Sequence, residues 1–434
     1  MRQNSLYVSV LYALPTIMLF LVANILSSNI FAIIGAAWLV VPLLICKEDI
    51  VLLISVLLIP SITMIRLVGV NQTILGIFIL LFSLKILLSF DSPKDLVIVI
   101  IIHLVSVCVT VFLYMLPNLA VKSFKSMLIV LAMAALFIKW SEEGIDKRQE
   151  IIKAFALGTA ISIICTILYC FANSLDFIGT YLQGIQSDRN YYSSIMPLAC
   201  SCAICSIANE VNKKRIYFYI VVAIIIAIGT VLTKSRTAFL MLIISLLASV
   251  TFLIVNGTSK SINRFVGILL LGIIGFGGYF IDILGNVITR FSDSSVASAS
   301  GRTIAWGFYL NKMSESLISF LFGKGSSSAY VSNNVMSFVE HNTLVESLFT
   351  TGLLGTITLI IVLFVFSNKI ENRSIFIRFV YYIPFWATII CFLMINQLYN
   401  EQLVYSIIVG IALASFCQNL NLEKKQYRSS YLGQ

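Results

Sequence analysis

Long apolar runs separated by short polar breaks fill this chain from one end to the other. They lie near 6–26, 30–46, 50–65, 73–90, 96–116, 124–140, 150–172, 191–209, 216–232, 237–255, 265–286, 343–366, 379–396 and 402–418. A hydrocarbon core of about 30 Å is crossed by about 20 apolar residues in a helix, so each run is a candidate span. The pattern predicts an all-α polytopic membrane protein of about 12–14 transmembrane helices, with one membrane domain over residues 1–434. The runs at 50–65 and 216–232 are the weakest of the set. The first run has no cleavage-type tail and opens a series of similar runs, so it reads as a span and not as a removed signal peptide.

Composition agrees with the pattern. The chain is 59% hydrophobic and 11% charged, with a mean hydropathy of +1.00. A formal net charge of +10 raises the question of nucleic acid, but the charges sit in short clusters between the runs, as topology signals do. With the N-terminus inside, nineteen of the 29 Lys and Arg fall on inside segments, including the clusters "KWSEEGIDKRQEIIK", "NKKR" and "NKIENR". Both termini are then cytoplasmic. All nine cysteines lie in or at the ends of apolar runs, which excludes a disulfide framework in the loops. Cys202 and Cys205 share one helix face. With no histidine or further thiol near them in sequence, they read as small packing residues and not as metal ligands.

Two outside loops are longer than a connection needs, near 173–190 and 287–341. Loops of that length in compact folds are usually functional. Within the second, "GRTIAWGFYLNKMSESLISFLFGKG" spaces Ile304, Phe308, Met313, Leu317 and Leu321 at near-helical intervals against polar residues. That predicts an amphipathic helix at the outer membrane face, ended by Gly323 and Gly325. Ahead of it, "SDSSVASAS" reads as a flexible connector.

The outside cations run against the topology trend, and three arginines sit close to span ends: Arg189 in "SDRNYY", Arg236 in "LTKSRTAFLML" and Arg302 in "SGRTIAW". The turn holding Lys234 and Arg236 is so short that both must lie at the membrane surface. Beside a helix N-terminus they make an anion site, for which the planar guanidinium fork suits phosphate. Snorkelling to lipid headgroups fits the same motif equally well. His341, in "VEHNTLVESLF", is one of two histidines in the chain. "EHN" by itself suits a helix start, with Asn342 as N-cap and Glu346 in the first turn. The functional reading is a general base, since an imidazole near pKa 6.5 accepts a proton from a sugar hydroxyl at neutral pH. His103 is mid-span in "VIIHLVSV" and suits a packed, interhelical role.

Taken together, outside arginines, a histidine closing the longest outside loop and a many-helix bundle point to one substrate type. It is a polyprenyl-pyrophosphate-linked sugar at the outer leaflet. Its leaving group is already activated, so guanidinium groups suffice to neutralise it. The outside loops carry no Asp-rich metal cluster, and the expected reaction uses no metal and no cofactor.

The series "SDRNYYSSIMPLA", "LTKSRTAFLML", "GR…W" with "FGKG", and "HNTLVESLFTTGLLG" resembles the O-antigen polymerase (Wzy-type) and O-antigen ligase (WaaL-type) superfamily over roughly 180–365, the Wzy-C-type region. The resemblance implies a GT-C-like helical fold with a partly helical periplasmic loop. It implies a role at the donor pyrophosphate and acceptor hydroxyl for Arg236, Arg302 and His341. It gives Arg189 the place of a further basic loop residue, although the family often has proline there before the asparagine. Arg290 and Gly301 match an Arg-x10-Gly spacing described for polymerases. Lys234, Asn342 and Glu346 complete the expected substrate-binding set.

The implied activity is polymerisation of O-antigen or capsule. Undecaprenyl-pyrophosphate-linked glycan is transferred to the next lipid-linked repeat at the periplasmic face of a bacterial inner membrane. An O-antigen ligase, acting on lipid A–core, keeps the same motifs and changes the acceptor. A lipid-linked oligosaccharide transporter is the reading from another class, and the near absence of charge inside the spans argues against it. The resemblance leaves room for a chain-length-regulating protein as a further partner, and none for nucleic acid.

Overall fold

The computed structural model describes residues 5–67, 73–144, 146–185, 187–208, 210–257, 262–267, 285, 302–325, 341–370, 383–395 and 398–432. The run expected at 265–286, the connector "SDSSVASAS", Arg290 and Gly301 lie outside, or almost wholly outside, these residues.

In chain order the helices are α1 (Ser5–Ile25), α2 (Asn29–Ile45), α3 (Glu48–Leu58), α4 (Ile74–Ser89), α5 (Lys94–Tyr114), α6 (Pro117–Glu142), α7 (Arg148–Ala172) and α8 (Arg189–Ser193). There follow α9 (Met196–Ile207), α10 (Lys213–Leu232), α11 (Arg236–Asn256), α12 (Arg302–Met313), α13 (Leu317–Phe322), α14 (Thr343–Ile370), α15 (Ile383–Phe392) and α16 (Glu401–Leu432). No strand occurs among the described residues; one isolated bridge joins Arg66 and Thr73. Eight helices, α1, α5, α6, α7, α10, α11, α14 and α16, are long and apolar enough to cross a membrane, and α2, α4 and α15 are shorter apolar helices. The chain is an all-α, multi-pass membrane protein.

Two expected spans take another form. The run at 50–65 is α3 followed by a 3₁₀ turn at Ile59–Ser61, where Pro60 cannot continue the α-helical ladder. The run at 191–209 is broken between Ser193 and Met196, and α9 restarts with Pro197 in its first turn. Both short helices sit inside the bundle. Every residue from Val51 to Leu58 is buried, as is every residue of α9. Backbone breaks are tolerated at membrane depth where protein, not lipid, surrounds them. α9 packs on α7, α10, α11, α15 and α16 through small residues such as Ser201, Ala203 and Cys205. The hydrophobic segment of α16 is 94% buried, whereas that of α5 is 33% buried and faces outward. At the α3–α7 crossing, a side chain on Gly158 would meet the Leu57 carbonyl oxygen at 2.2 Å.

The thiol surroundings of α9 differ from expectation. Cys417 of α16 lies beside Cys205, a neighbour 212 positions away that sequence spacing does not reveal. No cluster of three or more metal-ligating side chains forms among the described residues.

Ion pairs separate into the two groups that alternating spans require. One end of the bundle holds Lys147 with Asp49 and Glu150, Lys153 with Glu210, and Lys369 with Asp95. The other holds Lys125 with Glu401, and Glu315 with Lys312 and Lys324. Between them, His103 of α5 uses both ring nitrogens, meeting Thr358 Oγ1 and Tyr399 Oη at 2.9 Å each. Each hydroxyl can donate or accept, so either neutral tautomer of His103 satisfies both contacts. This is the interhelical role its mid-span position suggests.

The expected amphipathic segment forms two helices. α12 and α13 are separated at Ser316, which caps α13 by accepting the Ser319 amide at 3.1 Å. α13 ends at Gly323, φ +79°, against a break in α14 at Gly352, φ +69° and ψ −171°. The Lys324 and Gly325 amides donate to the Phe349 and Thr350 carbonyls that the break frees.

Candidate functional site

Four local structures position the motif residues, and Asn190, Ser235 and Arg302 line one cleft. Asp188 caps α8, its Oδ1 accepting the Asn190 amide at 2.8 Å. Ser235 stands at the N-cap of α11 but makes no side-chain cap. Its hydroxyl donates to Asn190 Oδ1 at 3.0 Å, which ties "SDRN" to "KSRT". The helix field at the start of α11 is thus directed at the cleft, where Thr237 and Ala238 form part of the wall. Arg236 and Arg302 are the first residues of α11 and α12. Asn342 caps α14, its Oδ1 accepting the Leu344 and Val345 amides at 2.9 and 3.1 Å. This fixes His341, φ +45°, immediately ahead of the helix.

The cleft is small, with a free volume of about 10 Å³, and its lining includes Asn190, Ser235, Thr237, Arg302, Met394 and Ile395. Arg302 is half-buried and reaches Met394 Sδ through Nη1 at 3.7 Å. Burial lowers its pKa, the positive charge of Arg236 adds to that, and Asp188 opposes it. His341 is also lowered from its ordinary 6.5, by burial first and by Arg302 second, again opposed by Asp188. Two guanidinium groups, one carboxylate and one imidazole therefore share a field. Burial and the Arg302 charge favour the neutral imidazole, and two guanidinium groups against one carboxylate leave the shared field positive.

The remaining expected residues divide. Arg189 stacks its guanidinium on Tyr181, 4.4 Å from the ring centroid. Glu346 lies in the first turn of α14, its Oε2 accepting the Leu398 amide at 3.1 Å. Lys234, φ +50°, is buried. Its ammonium donates to the Ile178 and Gly179 carbonyls at 3.1 and 2.9 Å, fastening the 173–188 loop to the α10–α11 turn. Leu182 N adds a bond to the Leu232 carbonyl at 2.8 Å. Arg290 is outside the described residues.

Sequence reasoning passed over Asp188 and Asn190. Asp188 precedes a short helix in "SDRNYY", and that capping pattern was the available signal. The contact between Asn190 and Ser235 had no local signal at all. In comparisons with known proteins, no family model matches the chain and no curated protein matches it.

Proposed function

We propose that this chain is a bacterial surface-polysaccharide polymerase of the O-antigen or capsule type. It acts at the periplasmic face of the inner membrane, with both termini cytoplasmic. Its donor is a growing glycan on undecaprenyl pyrophosphate, and its acceptor is the next lipid-linked repeat unit. The observation that carries the reading is that Arg236, Asp188 and His341 all lie within the electrostatic reach of Arg302, which lines the cleft.

In this mechanism an acceptor hydroxyl oxygen attacks the anomeric carbon, and its proton passes to the neutral imidazole of His341. The bond from that carbon to the pyrophosphate oxygen breaks, and the electron pair leaves with undecaprenyl pyrophosphate. One displacement inverts the anomeric configuration. Arg236 and Arg302 hold the leaving group, with the helix field at the start of α11 acting in the same sense. A positioned base contributes about 10²–10⁴-fold and a lost anion-stabilising donor costs about 10²–10³-fold. Asp188 steadies the imidazolium that forms.

Gel analysis of surface polysaccharide from a strain deleted for the gene tests the reading. Loss of a polymerase leaves core bearing a single repeat. Bare core with stranded lipid-linked polymer identifies an O-antigen ligase instead. Lipid-linked single repeats retained at the cytoplasmic face identify a transporter.

A further inference from the structure

The residues that follow α15 border the cleft. Met394 and Ile395 line the cleft, and Met394 Sδ meets Arg302. The segment is fixed at its first half by Thr343, whose Oγ1 lies 2.7 Å from the carbonyl oxygens of both Phe392 and Ile395. A single hydroxyl proton shared between two carbonyls sets the start of α14 against the end of α15. At its second half, Glu346 receives the Leu398 amide. Tyr399, φ +59°, accepts Ser126 Oγ at its carbonyl at 2.9 Å, and its hydroxyl meets His103 Nε2 at 2.9 Å. Glu401 then pairs with Lys125.

These bonds come from α5, α6 and α14, far more than a surface connection receives. His341 is two residues from Thr343, and its left-handed backbone persists only where the surroundings impose it. The base and the loop arginine thus rest on the same stretch of chain. We propose that residues 392–395 and 398–401 form a seat that sets His341 and Arg302 in register. Thr343 and Glu346 are the positioning residues, and the Tyr399–His103 pair is its anchor in the bundle. The inference rests on the polymerase reading and adds residues that touch neither substrate nor leaving group.

The geometry makes a specific demand. Displacing a catalytic group by about 1 Å costs on the order of 10²-fold in rate, while the cleft's excess positive charge, and so its grip on pyrophosphate, remains. Thr343→Val removes the shared proton at nearly constant shape. Thr343→Ser keeps the proton.

The test uses full-length protein in nanodiscs with two probes: undecaprenyl pyrophosphate for binding, and lipid-linked repeat units extracted from the deletion strain for turnover. Thr343→Val is expected to bind undecaprenyl pyrophosphate within about twofold of wild type and to lose tenfold or more in kcat. Thr343→Ser is expected to restore the rate. Should Thr343→Val not fold, Tyr399→Phe decides, since it removes only the bond to His103; a tenfold loss in kcat with binding intact is expected there too. Wild-type kcat in the folded variant overturns the seat. An equal loss of binding and rate also overturns it. If His341→Ala is inactive in either case, the polymerase reading stands without the seat. If His341→Ala turns over normally, that reading itself has failed.

Discussion

Ser235 donates its hydroxyl to Asn190 Oδ1 across 45 positions of sequence. Through this bond the turn that carries Arg236 and the short helix behind Asp188 become one wall of the cleft. Asn190→Ala leaves that hydroxyl without its partner in a buried setting, at a cost of about 1–3 kcal/mol. Ser235→Ala removes the donor. Both variants are expected to lower turnover while protein levels stay normal, and the double variant to add little to either single one. A double-mutant cycle on turnover checks this, and simple additivity would show that the two motifs act separately.

Lys234 and Arg236 are two residues apart and do different work. Lys234→Met removes two charge-assisted bonds to the 173–188 loop and is expected to cost about 2 kcal/mol or more. Arg236→Met is expected to lose turnover by about 10²-fold or more. Melting curves and rates on the two purified variants read both quantities. A wild-type melting temperature for Lys234→Met would remove the structural duty assigned to Lys234.

The pH profile follows from the charges around His341. A base is active when deprotonated, so the acid limb of kcat/KM marks the histidine's pKa in the free protein. Burial and Arg302 lower that pKa, which places the limb below the ordinary 6.5. Asp188 opposes the shift, so Asp188→Asn is expected to move the limb to still lower pH. A limb that moves up in Asp188→Asn, or does not move, would remove Asp188 from the field of the imidazole.

Gly323 and Gly352 meet backbone to backbone. A side chain on Gly352 would come within 2.4 Å of the Gly323 nitrogen and the Leu321 carbonyl, and both glycines have positive φ. Backbone in that region costs a residue other than glycine about 1–3 kcal/mol before any clash. Gly352→Ala is therefore expected to reduce folded protein sharply. Gly307→Ala, where a side chain meets nothing within 4 Å, is expected to be neutral. Yields by fluorescence-detected size-exclusion chromatography compare the two directly.

Much of the fold was legible because the bilayer imposes one simple rule, long apolar runs for helices. The eight long apolar helices answer to it. α3 and α9 broke the expectation because a run buried within protein need not reach both membrane faces, and hydropathy alone does not separate protein from lipid surroundings. Within the site, Asn342 was legible as a cap because capping is local. The duty of Lys234 was not, since its carbonyl partners lie 55 and 56 positions away. Asp188 was obscured by the arginine beside it. Thr343, with acceptors at Phe392 and Ile395, had no signal in a sequence where threonines in apolar runs are common.

The central claim is that Arg236, Arg302 and His341 act together to lengthen a lipid-linked glycan. The most direct measurement is the polysaccharide ladder of a deletion strain complemented at normal expression with His341→Ala or Arg302→Ala. The account predicts core bearing one repeat and no longer bands in either case. A full ladder from both variants would contradict it.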